Sequence, residues 1–293
     1  MNWRFYAVIS LLLSSTAVCP ALSDEIAKTP AFTKVPELAS GFQALYVQNF
    51  TEAREKFAAW ESQHPDEPFG QVAVAASYLF EELYRQGVLS SDFFLNEKRF
   101  LKGIEGKPDP VRMKSFQEAI QLARQLARQR LEKNAHDPEG LFALALSAGM
   151  ESDADMILKK EHLEALKRLK EASANAKELL AQQPDANDAY VALGTANYII
   201  GSLSGGTRFL LRFGGIHGDK KLGMEQLGNT IENGRYLQPY AKILLALAAR
   251  REKQNRVAQK LLLELSQEFP ESPLYAAEYA KAMGRPIPAA MNP

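Results

Sequence analysis

The sequence predicts an all-α protein built from stacked helical hairpins, and three observations carry that reading. Apolar residues recur at steps of three and four, as in Phe50, Ala53, Phe57 and Trp60, which places them on one stripe of a helix. Proline recurs in one setting, after an amphipathic stretch and before an apolar one: His64-Pro65-Asp66, Asp137-Pro138-Glu139, Gln183-Pro184-Asp185 and Phe269-Pro270-Glu271. One long break, Gly201 to Gly223 with seven glycines, interrupts an otherwise helical pattern.

The 293 residues suffice for a large core, in one elongated domain or two compact ones. An apolar fraction of 46% with 24% charged residues is that of a folded chain. Lysine plus arginine equals aspartate plus glutamate at 35 each, so no global field recruits nucleic acid. No nucleic-acid partner is expected.

Residues 1–23 read as a secretion signal. Arg4 supplies the positive start, Phe5 to Val18 is apolar but shorter than the roughly 20 residues of a membrane span, and Ala21-Leu22-Ser23 offers a cleavage site before Asp24. Two alternatives remain: an uncleaved anchor, and a lipid on Cys19, although Thr16 and Val18 do not fit a lipidation box. After cleavage no membrane span is expected, and the exported chain belongs in a periplasm. Cys19 is the only cysteine and leaves with the leader, so disulfides and cysteine-held metals are excluded and stability rests on helix packing.

Residues 24–36 lack a period and form an N-terminal arm. Residues 37–284 form the repeat domain, and 285–293 a tail. In the first hairpin Gly41, Ala44 and Leu45 mark one helix, and the Phe50 stripe marks its partner. Counting back from Pro65, residues Phe57, Ala53 and Gly41 fall on the aromatic, alanine and glycine positions of the tetratricopeptide repeat, which this hairpin resembles without the family's tryptophan. The last copy is the best preserved, with Tyr240, Leu244 and Leu247 on its first helix and Ala258, Leu262, Leu265 and Phe269 on its second. The resemblance implies a right-handed solenoid of about five hairpins. Two insertions interrupt it, at Gln86 to Asp109 and at Gly201 to Gly223; both are aromatic and basic, and they are expected near each other. Asp109, Asp137 and Ser272, each before a proline, read as helix caps.

Residues that could carry chemistry are sparse. His64, His136, His162 and His217 lack the spacing of a zinc helix. Glu151-Ser152-Asp153-Ala154-Asp155 alternates carboxylates but lacks the glycine and distal glutamate of a calcium loop, and reads as a solvated connection. No cofactor or metal is expected. In the glycine-rich break Asp219 stands where a phosphate-loop lysine would be and reads instead as a helix cap. Its basic and apolar residues Arg208, Phe209, Arg212, Phe213, Lys220 and Lys221 are the candidate binding residues. The run Gly215-Ile216-His217-Gly218-Asp219-Lys220-Lys221-Leu222-Gly223, followed by Leu227, is similar to a segment of atypical tetratricopeptide proteins, some linked to lipid droplets and inclusion clearance. The overall plan is also similar to the periplasmic T-components of TRAP-type transporters. Neither resemblance supplies a catalytic residue. The expectation is a non-enzymatic scaffold binding a protein or peptide in its concave groove; the alternative is a carrier of a small apolar or anionic ligand in envelope transport.

Overall fold

A computed structural model describes residues 35–203, 205–206, 208–209 and 217–286. The leader, most of the arm, Arg212, Phe213 and residues 287–293 of the tail lie outside them. Among the described residues there are thirteen α-helices and no strand. They are α1 (Pro36–Tyr46), α2 (Phe50–Gln63), α3 (Pro68–Arg85), α4 (Ser91–Leu95), α5 (Glu97–Lys102), α6 (Pro110–Lys133) and α7 (Pro138–Asp153). A π-helical turn (Ala154–Lys159) follows, then α8 (His162–Gln182), α9 (Tyr190–Ser202), α10 (Lys220–Asn233), α11 (Gln238–Arg251), α12 (Asn255–Glu268) and α13 (Pro273–Ala282).

The chain is punctuated as its prolines require. Pro36, Pro68, Pro110, Pro138 and Pro273 open their helices, where a missing N–H costs no bond. Asp109 accepts from the Arg112 N–H at 2.9 Å and Asp137 from the Gly140 N–H at 2.8 Å, as caps. Ser272 does not cap: its hydroxyl donates to Gln48 Oε1 at 2.5 Å, across the molecule.

Helices pack on their sequence neighbours, and two kinds alternate. The strongly apolar α1, α3, α7 and α9 also touch one another in succession and build one continuous core, while α2, α6, α8, α10 and α12 cover it with one apolar stripe each. In the first hairpin the Gly41 position lies against the Phe57 ring, so any side chain there would collide with it. Phe50, Ala53, Phe57 and Trp60 are all buried. In the last pair Ala258, Leu262, Leu265 and Phe269 are buried too. On α11 the buried stripe is instead Ala241, Ala246, Ala248 and Ala249; Tyr240, Leu244 and Leu247 are half-buried, because the small face is the one that allows close helix approach.

The array coils until its start meets its end. Phe42 and Phe69 pack on the Tyr236 ring at centroid distances of 5.2 and 5.4 Å, and Tyr46 packs on Phe269 at 5.5 Å. The Val35 N–H donates to the Tyr236 hydroxyl at 2.6 Å, and the Tyr46 hydroxyl donates to the Tyr236 carbonyl at 2.9 Å. These rings take up the inner face between the first and last hairpins.

Glu151 to Asp155 is not a solvated loop. It is the last turn of α7 running into the π-turn, with Ser152 and Asp155 buried; Asp155 pairs with Lys159 at 2.7 Å and Ser152 donates to the Ala165 carbonyl at 2.9 Å. Continued backbone hydrogen bonding leaves no room for a loop, and α8 accordingly starts at His162.

Candidate functional site

The glycine-rich break is built around a close helix crossing. A Cβ on Gly223 would lie 2.6 Å from the Tyr198 backbone nitrogen, and one on Gly201 would lie 2.7 Å from that of Lys220. A Cβ on Gly194 would sit 2.9 Å from the Gly223 carbonyl. These glycines let α9 and α10 meet backbone to backbone. Asp219 caps α10, accepting from the Leu222 N–H at 3.0 Å, and Leu227 is buried behind Gly194.

Around this crossing the candidate residues fall into two groups. Lys220 is held inward by Glu252 at 2.7 Å, and Glu252 also accepts from the Tyr198 hydroxyl at 3.2 Å. The hydrogen bond from Lys220 holds the Glu252 carboxyl below its ordinary pKa, while burial and the Glu252 charge push the Tyr198 hydroxyl up to about 12. Lys220 is therefore a clamp between α10 and the end of α11. Arg208 donates to the Gly201 carbonyl at 3.3 Å and is otherwise exposed; Phe209 is 61% exposed. Lys221 is 89% exposed, with Glu225 at 3.7 Å. Arg212 and Phe213 lie outside the described residues. The first insertion also reaches the end of α11, where Arg250 bonds Ser91, so both insertions abut one helix terminus.

A second feature has no counterpart among the sequence-based expectations: a groove of about 630 Å³ between α6 and α8. Gln121, Gln125 and Arg128 form one wall at helical spacing, and Arg168 stands on the other. At its floor Arg124 bonds Glu151 at 2.8 Å and also pairs with Glu171, while Arg168 lies 3.7 Å from Glu151. Burial raises the Glu151 pKa, and the charges of Arg124 and Arg168 oppose that shift. One signal was available: Arg124 shares the buried stripe of Ile120, Ala123 and Ala127, where a guanidinium requires acidic partners.

Two further carboxyls lie deep in the fold. Asp188 accepts from the backbone N–H groups of Arg235, Tyr236 and Leu237 at 2.9, 3.1 and 3.2 Å, and burial still raises its pKa. Asp153 meets the Tyr240 hydroxyl, and burial pushes its carboxyl up to about 7. Protein surrounds both Asp153 and Tyr240, yet neither residue is fully closed off from solvent. Among the described residues no three His, Cys, Asp or Glu side chains are grouped as a metal site. No protein-family model matches the chain, and a comparison with curated proteins gives no match either.

Proposed function

We propose that this chain is an exported, non-enzymatic scaffold of tetratricopeptide type that binds a protein or peptide partner in the cell envelope. The observation that carries this reading is the groove between α6 and α8. A row of amide and guanidinium groups along α6, with Arg168 facing it from α8, suits the carbonyls and carboxylates of an extended peptide, and the ion pairs of Arg124 hold the floor between the helices. The groove is open and polar, which suits a chain segment better than a small apolar molecule. The inner face at the first hairpin holds the protein's own rings, which supports a partner site on the outer helices. Arg208, Phe209 and Lys221 are exposed and do not line this groove.

Supporting the non-enzymatic reading, the buried charges have structural tasks. Asp188 ties a turn, Glu82 holds Arg112 at 2.5 Å, and Arg124 joins α6 to α7 and α8. Arg128→Glu reverses an exposed charge on the groove wall without touching that floor. Crosslinking in an envelope extract should recover a stoichiometric partner with the wild-type chain and at least about tenfold less with the variant. Equal recovery would remove the groove from the reading, and no partner in either case would remove the scaffold.

A further inference from the structure

We infer that one rim of the helical array docks on an anionic phospholipid surface. The inference rests on where the exposed apolar side chains fall. Seven large hydrophobic residues are exposed among the described residues, and six of them lie at the same end of the array. Leu101 is in the first insertion and Phe209 in the second. Val111, Leu163, Leu222 and Val257 each occupy the first turn of an outer helix, α6, α8, α10 and α12. Leu163 and Val111 are the most exposed, at 75% and 73%.

Singly exposed apolar residues are ordinary, but their confinement to one rim is not. The connections that carry them are also joined. The Ile104 N–H donates to the Ile157 carbonyl at 3.0 Å, tying the first insertion to the turn before α8. Lys281 reaches Asp92 at 2.8 Å, Arg250 bonds Ser91, and Lys220 pairs with Glu252 at 2.7 Å. The rim is therefore one surface and not a set of separate loops.

Charge selects the occupant. Beside these apolar residues in sequence stand exposed cations: Lys98 and Lys102 by Leu101, Lys160 by Leu163, Arg208 by Phe209, Lys221 by Leu222 and Arg256 by Val257. Lys98, Lys160 and Arg256 have no ion pair among the described residues. At the opposite end the connections 64–67, 134–137, 183–189, 234–237 and 269–272 carry Asp66, Glu67, Asp137, Asp185 and Glu271 against Arg235, whereas on the rim Asp92, Glu97, Glu105, Asp109, Glu161 and Asp219 stand among the cations. A protein partner would want one continuous apolar patch with paired polar groups. Separate apolar tips with the unpaired Lys98, Lys160 and Arg256 between them fit instead a lipid headgroup layer, into which each tip inserts while these cations meet phosphates. Docked this way, the molecule turns its acidic end away from the membrane and leaves the groove between α6 and α8 facing sideways.

The test uses the full chain and vesicles of phosphatidylcholine with or without about 30% phosphatidylglycerol. Its N-terminal apolar stretch can itself partition into lipid, so the rim needs its own reporter. Tryptophan placed at Leu163 or Val257 should shift its emission to the blue with anionic vesicles, read as a difference from the unsubstituted chain; tryptophan at Glu271 should not. The triple variant Leu163→Gln, Leu222→Gln, Val257→Gln, checked for unchanged helicity, should associate at least about tenfold more weakly, and 0.5 M salt should weaken the wild type. An unshifted rim tryptophan, equal shifts with neutral vesicles, or crosslinking of this rim to an envelope protein with no vesicle binding would each overturn the inference. The partner recovery read through Arg128 is a separate measurement, so either result can fail without the other.

Discussion

Asp153 is the residue whose chemistry depends most on its surroundings. In the unfolded chain it titrates near 3.8; deep in the fold, burial moves it to about 7, and the Tyr240 hydroxyl opposes that shift only in part. A carboxyl raised by folding binds its proton more tightly in the folded state. Its contribution to stability is therefore fully present below pH 4, falls as pH rises toward 7, and is flat above. Asp153→Asn removes the charge and keeps an acceptor for Tyr240. At pH 8 the variant should be more stable than the wild type by on the order of 2 kcal/mol, measured by urea denaturation, and the two should converge below pH 4. Glu61, Glu139, Glu151 and Asp188 are raised in the same direction, but they are common to both chains and drop out of the difference. A variant less stable at pH 8 would mean that the bond to Tyr240 outweighs the cost of burying the charge.

At the scale of elements, the crossing of α9 and α10 explains why a glycine-rich stretch borders two good helices. Gly223 and Gly228 sit on the same helix, and their surroundings predict opposite outcomes. Gly223→Ala drives a methyl group onto the Tyr198 backbone, which cannot rotate away, and should cost about 1–3 kcal/mol. At Gly228 a methyl group would meet nothing within 4 Å, so Gly228→Ala removes a helix-weakening residue and should gain about 0.5–1 kcal/mol. Thermal melts of the pair would show whether contact, and not glycine as such, sets the sign. If both variants gain, the helices can separate at no cost and the crossing is not tight.

For the whole molecule, the meeting of α1 with the turn before α11 decides whether the array is an open arc or a closed coil. Tyr236 carries most of that junction through its ring, hydroxyl and carbonyl. Tyr236→Ala should cost about 3–5 kcal/mol. The loss should also be uneven, because each hairpin leans chiefly on its neighbours. Amide exchange should quicken in α1 and α2 while α7 and α8 keep their protection. Uniform quickening would show that the coil opens as a single cooperative unit.

The helices were legible because their causes are local. Proline at a first turn, aspartate before it, and apolar residues at steps of three and four act within a few residues of each other, as in Asp137-Pro138 and in Phe50 to Trp60. Asp219 could be read as a cap for the same reason. The candidate site was legible only in part: Lys220 and Lys221 are adjacent in sequence, yet one clamps Glu252 and the other points to solvent. The misreadings at Asp153 and Ser272 share a cause, since their partners Tyr240 and Gln48 are 87 and 224 residues away. The sequence by itself determined the helical repeat pattern, because backbone hydrogen bonding and capping are short-range. Only the tertiary structure decided which charges are buried, that the first hairpin meets the last, and that the exposed apolar side chains gather on one rim, because each depends on packing between segments far apart in the chain.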